Sequence, residues 1–133
     1  MATARCACGD IVLTITGEPN GTSMCHCKDC QRRTGSPYGV GYYYTPEQVE
    51  IAGSPKAYER GTDSGNRLRN FFCPRCGTTV YWLVGPQLER VGVAVGCFDE
   101  PDGALPYRSV YEIRKHAWVD TSAIAQRFPR SRP

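Results

Sequence analysis

Apolar positions along this chain recur mostly with a period of two, the spacing of a strand with one buried face. In segment 11–16, Ile, Leu and Ile alternate with Val and Thr, and β-branched residues favour strands. Turn-forming residues at 17–21 close this strand. Further short strands are predicted at 40–45, 68–72, 79–84, 91–95 and 108–113, with 68–72 and 79–84 forming a hairpin.

Helical signals are few and short. Segment 27–34 predicts one short helix that ends at Gly35. Segment 46–49 predicts a single turn with Thr45 as its N-cap. Fourteen glycines and ten prolines separate the short segments, as all-β domains require. The pattern therefore predicts an all-β fold with few helical turns.

The length of 133 residues is that of one domain. We expect a single zinc-binding β domain over 1–126 and a flexible basic tail over 127–133. The N-terminus lacks the basic start and apolar stretch of a signal peptide, and no apolar run reaches the roughly 20 residues of a membrane span. We therefore expect a cytoplasmic protein with no membrane partner.

Charge adds little to this picture. The net charge is +3, from thirteen arginines and three lysines against thirteen acidic residues. The positive residues are spread along the chain and show no interleaving with aromatic residues, so nucleic acid is not the expected partner.

Eight cysteines are the main chemical signal. A reducing compartment disfavours stable disulfides, so metal or thiol chemistry is the leading interpretation. Cys73 and Cys76 are three residues apart and precede a glycine, the spacing of a zinc knuckle. Cys6 and Cys8, also followed by a glycine, are the natural second pair. Together the four would form a closed, structural zinc site.

A second cluster, Cys25, Cys27 and Cys30, lies within six residues. Three protein ligands and one open position are typical of a catalytic zinc. Cys97 could instead complete a second closed site, which would leave no open position. His26 lies between Cys25 and Cys27, and successive side chains of an extended segment point to opposite sides. If the segment is extended, the His26 side chain should therefore point away from the cluster.

The ordered motifs resemble the glutathione-dependent formaldehyde-activating enzyme family, which is related to centromere protein V. The resemblance is carried by Cys-x-Cys-Gly, by Cys-His-Cys-x-x-Cys-Arg-Arg-x-x-Gly and by Phe-Cys-x-x-Cys-Gly, with weaker likeness further on. The three motifs occupy 6–9, 25–35 and 72–77, and the weaker likeness lies at 96–101 and 115–118.

The resemblance implies a β-tent fold of stacked short antiparallel sheets with two zinc ions. In the family, the first and third motifs share a structural zinc and the middle trio holds a catalytic one. The implied activity is that of a carbon–sulfur lyase resembling S-(hydroxymethyl)glutathione synthase, which joins glutathione, or a related small thiol, to formaldehyde. Cys97 and Phe98 depart from the residues usual in the family.

Glutathione carries two carboxylates, and arginine binds carboxylates with two hydrogen bonds. Arg32 and Arg33 follow the middle trio directly and are the first candidates. Arg67 and Arg69 are further candidates, and Lys115 is a weaker one. Tyr42, Tyr43, Tyr44 and Trp82 could line a pocket, although alternation predicts that half of them belong to the core.

Two other functions fit the same residues. One is a non-catalytic, zinc-stabilised binding module for a protein or nucleic-acid partner. The other is a thiol sensor or metal store built on the middle trio. An oligomer is compatible with either of them and with the enzyme.

Overall fold

The computed structural model of the chain describes residues 1–101 and 103–133. Within them the chain forms eleven short strands and one short α-helix. The strands associate into one three-stranded and one eight-stranded sheet. The all-β fold class that the period-two pattern predicts is therefore confirmed.

The smaller sheet contains β1 (Ala2–Arg5), β2 (Val12–Ile15) and β5 (Val49–Ala52). Its order is β1-β2-β5, and both pairings are antiparallel. Leu13 and Ile15 are buried while the intervening residues are not, so the alternation seen in the sequence marks the face that packs on the core.

The larger sheet has the order β11-β10-β3-β4-β9-β8-β7-β6. Neighbours from β3 to β6 pair antiparallel, whereas β10 pairs parallel with both β3 and β11. Its strands are β3 (Gly21–Cys25), β4 (Gly39–Tyr44), β6 (Lys56–Gly61), β7 (Arg67–Phe72), β8 (Thr79–Gly85), β9 (Arg90–Ala94), β10 (Arg108–Val110) and β11 (Gln126–Arg127).

The α-helix, α1, spans Lys28–Thr34 and ends at Gly35, which adopts the left-handed conformation with φ 68°. Glycine tolerates this conformation at a helix end because it has no Cβ. A 3-10 turn at Pro46–Gln48 follows Thr45, the predicted N-cap, whose N–H donates to Gln48 Oε1 at 3.0 Å. Two more 3-10 turns lie at Val95–Cys97 and Glu112–Arg114. In the described part of the chain, no helix has the length and apolar character to cross a bilayer.

Several strands were not predicted from the pattern. Segment 21–25 forms β3, although the sequence predicts a turn at Gly21 and the segment carries one large apolar side chain, that of Met24. Strand β6 is exposed along most of its length. Strand β11 lies at the start of the expected tail, and Phe128 N–H donates to the Ser109 carbonyl at 2.9 Å. The domain boundary at 126 and the flexibility of 127–133 stay predictions.

The main core lies between the two sheets. The smaller sheet and its turn contribute Ala4, Ile11, Leu13, Ile15 and Val49, and the larger sheet contributes Tyr42, Tyr44, Val80, Tyr81, Val91 and Val93. Tyr43 points to the opposite face of β4. The prediction that only part of the tyrosine run belongs to this core is therefore confirmed.

The opposite face of the larger sheet is shaped by Trp82. Its indole lies across Gly41 of β4 and Gly92 of β9, where a Cβ on either glycine would collide with the ring. Trp82 is 5% exposed, and its Nε1–H donates to the Tyr43 hydroxyl at 3.3 Å. The two glycines thus leave a flat floor on which the indole rests.

We predict that Gly92→Ala destabilises the fold by about 1–3 kcal/mol, the range for overpacking a well-filled site. Urea unfolding followed by circular dichroism measures the change. Gly96→Ala is the matched control, since no atom lies within 4 Å of its added Cβ. Equal stability of the two variants would contradict this role of Gly92.

Candidate metal centres

Four cysteines from two distant turns meet at one point between the sheets. Cys6 and Cys8 lie between β1 and β2, and Cys73 and Cys76 lie between β7 and β8. Their Sγ atoms all lie within 4.8 Å of one another. The structure thus brings together the two pairs that the sequence spacing associated, and we name these residues the four-cysteine cluster.

The backbone around this cluster has the form of two knuckles. Ile11 N–H donates to Cys6 Sγ at 3.2 Å, and Arg75 N–H donates to Cys73 Sγ at 3.4 Å. Gly9 and Gly77 adopt φ 84° and 81°, which lets each turn close behind its cysteines. Backbone donors directed at sulfur favour the thiolate form that metal ligation needs.

The sulfur spacing fits a tetrahedral ion. Cys6 Sγ lies 3.7 Å from Cys8 Sγ, which lies 3.6 Å from Cys73 Sγ. Four sulfurs at about 2.3 Å from a zinc ion would be about 3.8 Å apart, whereas a disulfide would bring two sulfurs to about 2.05 Å. All eight cysteines are free thiols, so this donor set suits zinc or another thiophilic metal.

The thiolate form of Cys76 is favoured by its hydrogen bonds. The Thr78 hydroxyl lies 3.3 Å from its Sγ. Hydrogen bonds from the Thr78 side chain and from backbone N–H groups lower the pKa of Cys76 to about 5. At neutral pH this sulfur is therefore ready to bind a cation without first losing a proton.

The second cluster, Cys25, Cys27 and Cys30, lies where β3 passes into α1. Cys25 ends β3, Cys27 is the N-cap of α1 and Cys30 lies in its first turn. The three Sγ atoms lie within 4.8 Å of one another, and all three residues are partly buried. We name this group the cysteine trio.

The capping geometry of α1 positions the trio. Cys30 N–H donates to Cys27 Sγ at 3.3 Å, so that the thiol takes the place of the usual serine or aspartate cap. Hydrogen bonds from Cys25 and Cys30 lower the pKa of Cys27, while the same contacts and burial raise the pKa of Cys25. The trio therefore places the Cys27 sulfur, whose thiolate form is favoured, beside two further sulfurs, and this donor set suits a thiophilic cation.

His26 lies between two members of the trio but faces the other way, as expected. Its side chain is completely buried, and its Nε2 lies 2.9 Å from Ser109 Oγ. Gln31 donates its amide to the His26 carbonyl at 2.7 Å. These contacts fix the backbone from which Cys25 and Cys27 project.

Cys97 belongs to neither cluster. It ends a 3-10 turn, and its Sγ donates to the Thr79 carbonyl at 3.8 Å. Burial raises its pKa to about 11, so it is a neutral thiol at physiological pH. Among residues 1–101 and 103–133, the trio has no fourth cysteine within ligand distance, which argues against the closed second site considered from the sequence.

The trio lines a cavity of about 200 Å³ on the face of the larger sheet that carries the Trp82 indole. We call this cavity the trio pocket. Of the aromatic candidates, Tyr43 and Trp82 line it, whereas Tyr42 and Tyr44 belong to the core. Sequence reasoning did not identify Arg60, Asp63 or Tyr111, which also line it. Arg60 lies opposite Leu68 in the β6–β7 register, so only the sheet pairing reveals its position.

Of the predicted substrate contacts, Arg33 lines the trio pocket and Arg32 does not. The Arg33 guanidinium lies 4.4 Å from the Trp82 ring centroid, a cation–π contact that holds it beside the trio. Arg32 is exposed. Arg67 and Arg69 lie outside the lining residues and pair with Glu59 at 3.1 and 2.8 Å. Lys115 donates to the Val119 carbonyl.

Comparison with known proteins agrees with the motif order. The family model described as glutathione-dependent formaldehyde-activating enzyme matches residues 1–114, a range that contains all eight cysteines. No curated protein matches the chain. A crystal structure of a Rhodobacter sphaeroides protein, a structural genomics target, is similar with a TM-score of 0.58 and 20% identity. The match covers 78% of this chain and 91% of that one, so the two share a fold.

We predict that the two clusters differ in their effect on folding. Cys6→Ser should lose one zinc ion per chain and strongly destabilise the fold, because the cluster joins the two sheets. Cys27→Ser should also lose one zinc ion, yet remain folded. Native mass spectrometry counts the metal and circular dichroism measures unfolding. Equal destabilisation by the two substitutions would contradict this division.

Cys97→Ser should leave the metal content of the protein unchanged, because Cys97 lies outside both clusters. The same native mass spectra test this prediction. Loss of an ion from this variant would restore Cys97 as a ligand.

Proposed function

The chain belongs to the glutathione-dependent formaldehyde-activating enzyme family, and from this membership we propose that it is a zinc-dependent carbon–sulfur lyase. It would join glutathione, or a related small thiol, to formaldehyde, as S-(hydroxymethyl)glutathione synthase does. The observation that supports this most directly is the cysteine trio in the wall of a pocket that is also lined by aromatic, basic and acidic side chains.

We assign a structural zinc to Cys6, Cys8, Cys73 and Cys76 and a catalytic zinc to Cys25, Cys27 and Cys30. The first set supplies four sulfurs and is closed, whereas the second supplies three and faces the pocket. When bound by the trio, zinc supplies a Lewis acid that lowers the pKa of a thiol ligand.

The proposed reaction has a simple balance. The thiol sulfur attacks the carbon of formaldehyde, so a carbon–sulfur bond forms and the carbonyl π bond breaks. The proton of the thiol ends on the former carbonyl oxygen, and no atom is oxidised or reduced. The task of the protein is then to hold two small reactants together and to stabilise the oxygen that gains charge.

We assign to Tyr111 the hydrogen bond that stabilises the former carbonyl oxygen of formaldehyde as it gains negative charge. It lines the trio pocket, and partial burial raises the pKa of its hydroxyl. It therefore stays protonated at neutral pH and can donate a hydrogen bond to an alkoxide.

Arg33 is the substrate contact that the geometry favours. Its guanidinium is held over Trp82 at the pocket wall, where it can meet a carboxylate of glutathione. Arg32, the other candidate from the sequence, stays a prediction. We also propose a cytoplasmic location, since the thiol clusters need the reducing conditions of that compartment.

Exchange spectroscopy by NMR on mixtures of glutathione and formaldehyde tests the proposed activity. The zinc-loaded protein should accelerate adduct exchange. Cys27→Ser should lower the enzymatic rate by about 100-fold or more, because the Lewis acid contributes several kcal/mol. Cys97→Ser should retain the rate and is the matched control. No acceleration by protein with both ions bound would leave the zinc-stabilised binding module as the better interpretation.

A further inference from the structure

A second cavity, of about 500 Å³, adjoins the trio pocket. Three arginines line it, Arg90, Arg108 and Arg132, none of its described lining side chains is acidic, and Pro133 also belongs to the lining. We call it the arginine cavity. It shares part of its wall with the trio pocket, namely Ser23, Tyr43, Ser64, Val110, Tyr111 and Ser131. The two cavities are therefore continuous along one face of the sheet.

Strand register fixes how far Arg108 lies from Cys25 of the trio. Cys25 lies opposite Val110, and Ser23 lies opposite Arg108, in the parallel pairing of β3 with β10. Residues two apart on a strand share a face and are separated by about 6–7 Å. Arg108 therefore projects from the same face as Cys25, at a distance that one or two extended peptide units span, at about 3.3–3.6 Å per residue.

Arg108 has a buried hydrogen-bond donor that lacks an acceptor among the described residues. Its Nε is buried and has no hydrogen-bond partner among the described residues. Burial and the charges of Arg132 and Arg90 disfavour its protonated form and lower its pKa. A buried donor without a partner and a cluster of like charges both cost free energy, and a bound anion would relieve both.

Of the cationic groups nearest the trio, Arg33 is assigned to one carboxylate of glutathione, which leaves the second carboxylate without a contact. Arg33 stacks over Trp82, and Arg60 lies 3.4 Å from an Asp29 carboxylate oxygen. In the arginine cavity, by contrast, Arg90 packs only loosely over Tyr43, with its guanidinium 5.8 Å from the ring centroid. The second cavity thus holds three arginines that form no ion pair with an acidic side chain among the described residues.

We propose that Arg90, Arg108 and Arg132 form a subsite for a carboxylate of the thiol substrate, and that this subsite selects acidic thiols over neutral ones. The inference rests on the proposed function for the identity of the ligand. With the sulfur at the trio, a peptide-like thiol extends along β3 and β10 and places its carboxylate against Arg108.

Binding can be measured without turnover. S-methylglutathione keeps both carboxylates but has no free thiol, and its diethyl ester has neither carboxylate. By isothermal calorimetry on the zinc-loaded protein, the acid should bind about 10- to 100-fold more tightly than the ester, the range for charge-assisted hydrogen bonds. Arg108→Gln should reduce this preference about 10-fold or more, because only the carboxylate assigned to Arg33 then still distinguishes the acid from the ester, and Arg108→Lys should restore part of the loss. Arg114→Gln, an exposed arginine outside both cavities, is the matched control.

Equal binding of acid and ester by the native protein, or full retention of the preference in Arg108→Gln, would overturn the subsite. Circular dichroism and zinc content show whether Arg108→Gln is folded; if it is not, Arg90→Gln takes its place with the same expectation.

Turnover separates the two proposals. With glutathione and formaldehyde, Arg108→Gln should raise KM about 10- to 100-fold, while the rate with 2-mercaptoethanol stays unchanged. Exchange that is rapid with glutathione but indifferent to Arg108 would overturn the subsite and leave the lyase standing. Arg108-dependent binding of S-methylglutathione without turnover of any thiol would support the subsite and overturn the lyase.

Discussion

The four-cysteine cluster is a point at which the two sheets are joined through sulfur. One pair of the four-cysteine cluster comes from the turn between β1 and β2 in the smaller sheet, and the other comes from the hairpin of β7 and β8 in the larger one. Three short strands with one apolar face have little stability in isolation. Cys6 and Cys73 belong to the same core as Leu13, Ile15 and Tyr42, and a metal bound by the cluster would stabilise the contact between the sheets.

Because side chains alternate along each strand, one face of the larger sheet packs on the core and the other face carries the trio pocket. On β4, Tyr42 and Tyr44 face the core while Tyr43 faces the trio pocket. Gly41 and Gly92 make the second face flat enough for the Trp82 indole, and the indole in turn carries Arg33. A sheet that was apolar on both faces would offer no such platform. Two glycines and one tryptophan thus convert a sheet surface into the floor of a pocket.

The sequence predicted those features that depend on local spacing. The trio, the two knuckle pairs, the alternation in β2 and the helix that ends at Gly35 can all be identified within a few residues of chain. The features that it did not predict depend on which strands are neighbours. Strand β3 is held by β4 and β10 rather than by its own apolar pattern, and Arg60 and Arg108 reach the pocket face through register alone. Spacing identifies ligands, whereas pairing decides which arginines accompany them.

The two clusters also differ in how much chain must be ordered before they can form. The trio spans six consecutive residues, whereas 65 positions separate Cys8 from Cys73. Closing the longer loop costs about 2 kcal/mol more in chain entropy, so an unfolded or nascent chain should bind metal at the trio about 30-fold more readily than at the four-cysteine cluster. A metal that also binds the unfolded state stabilises the native one less. Metal at the trio would therefore stabilise the folded state less than metal at the four-cysteine cluster would.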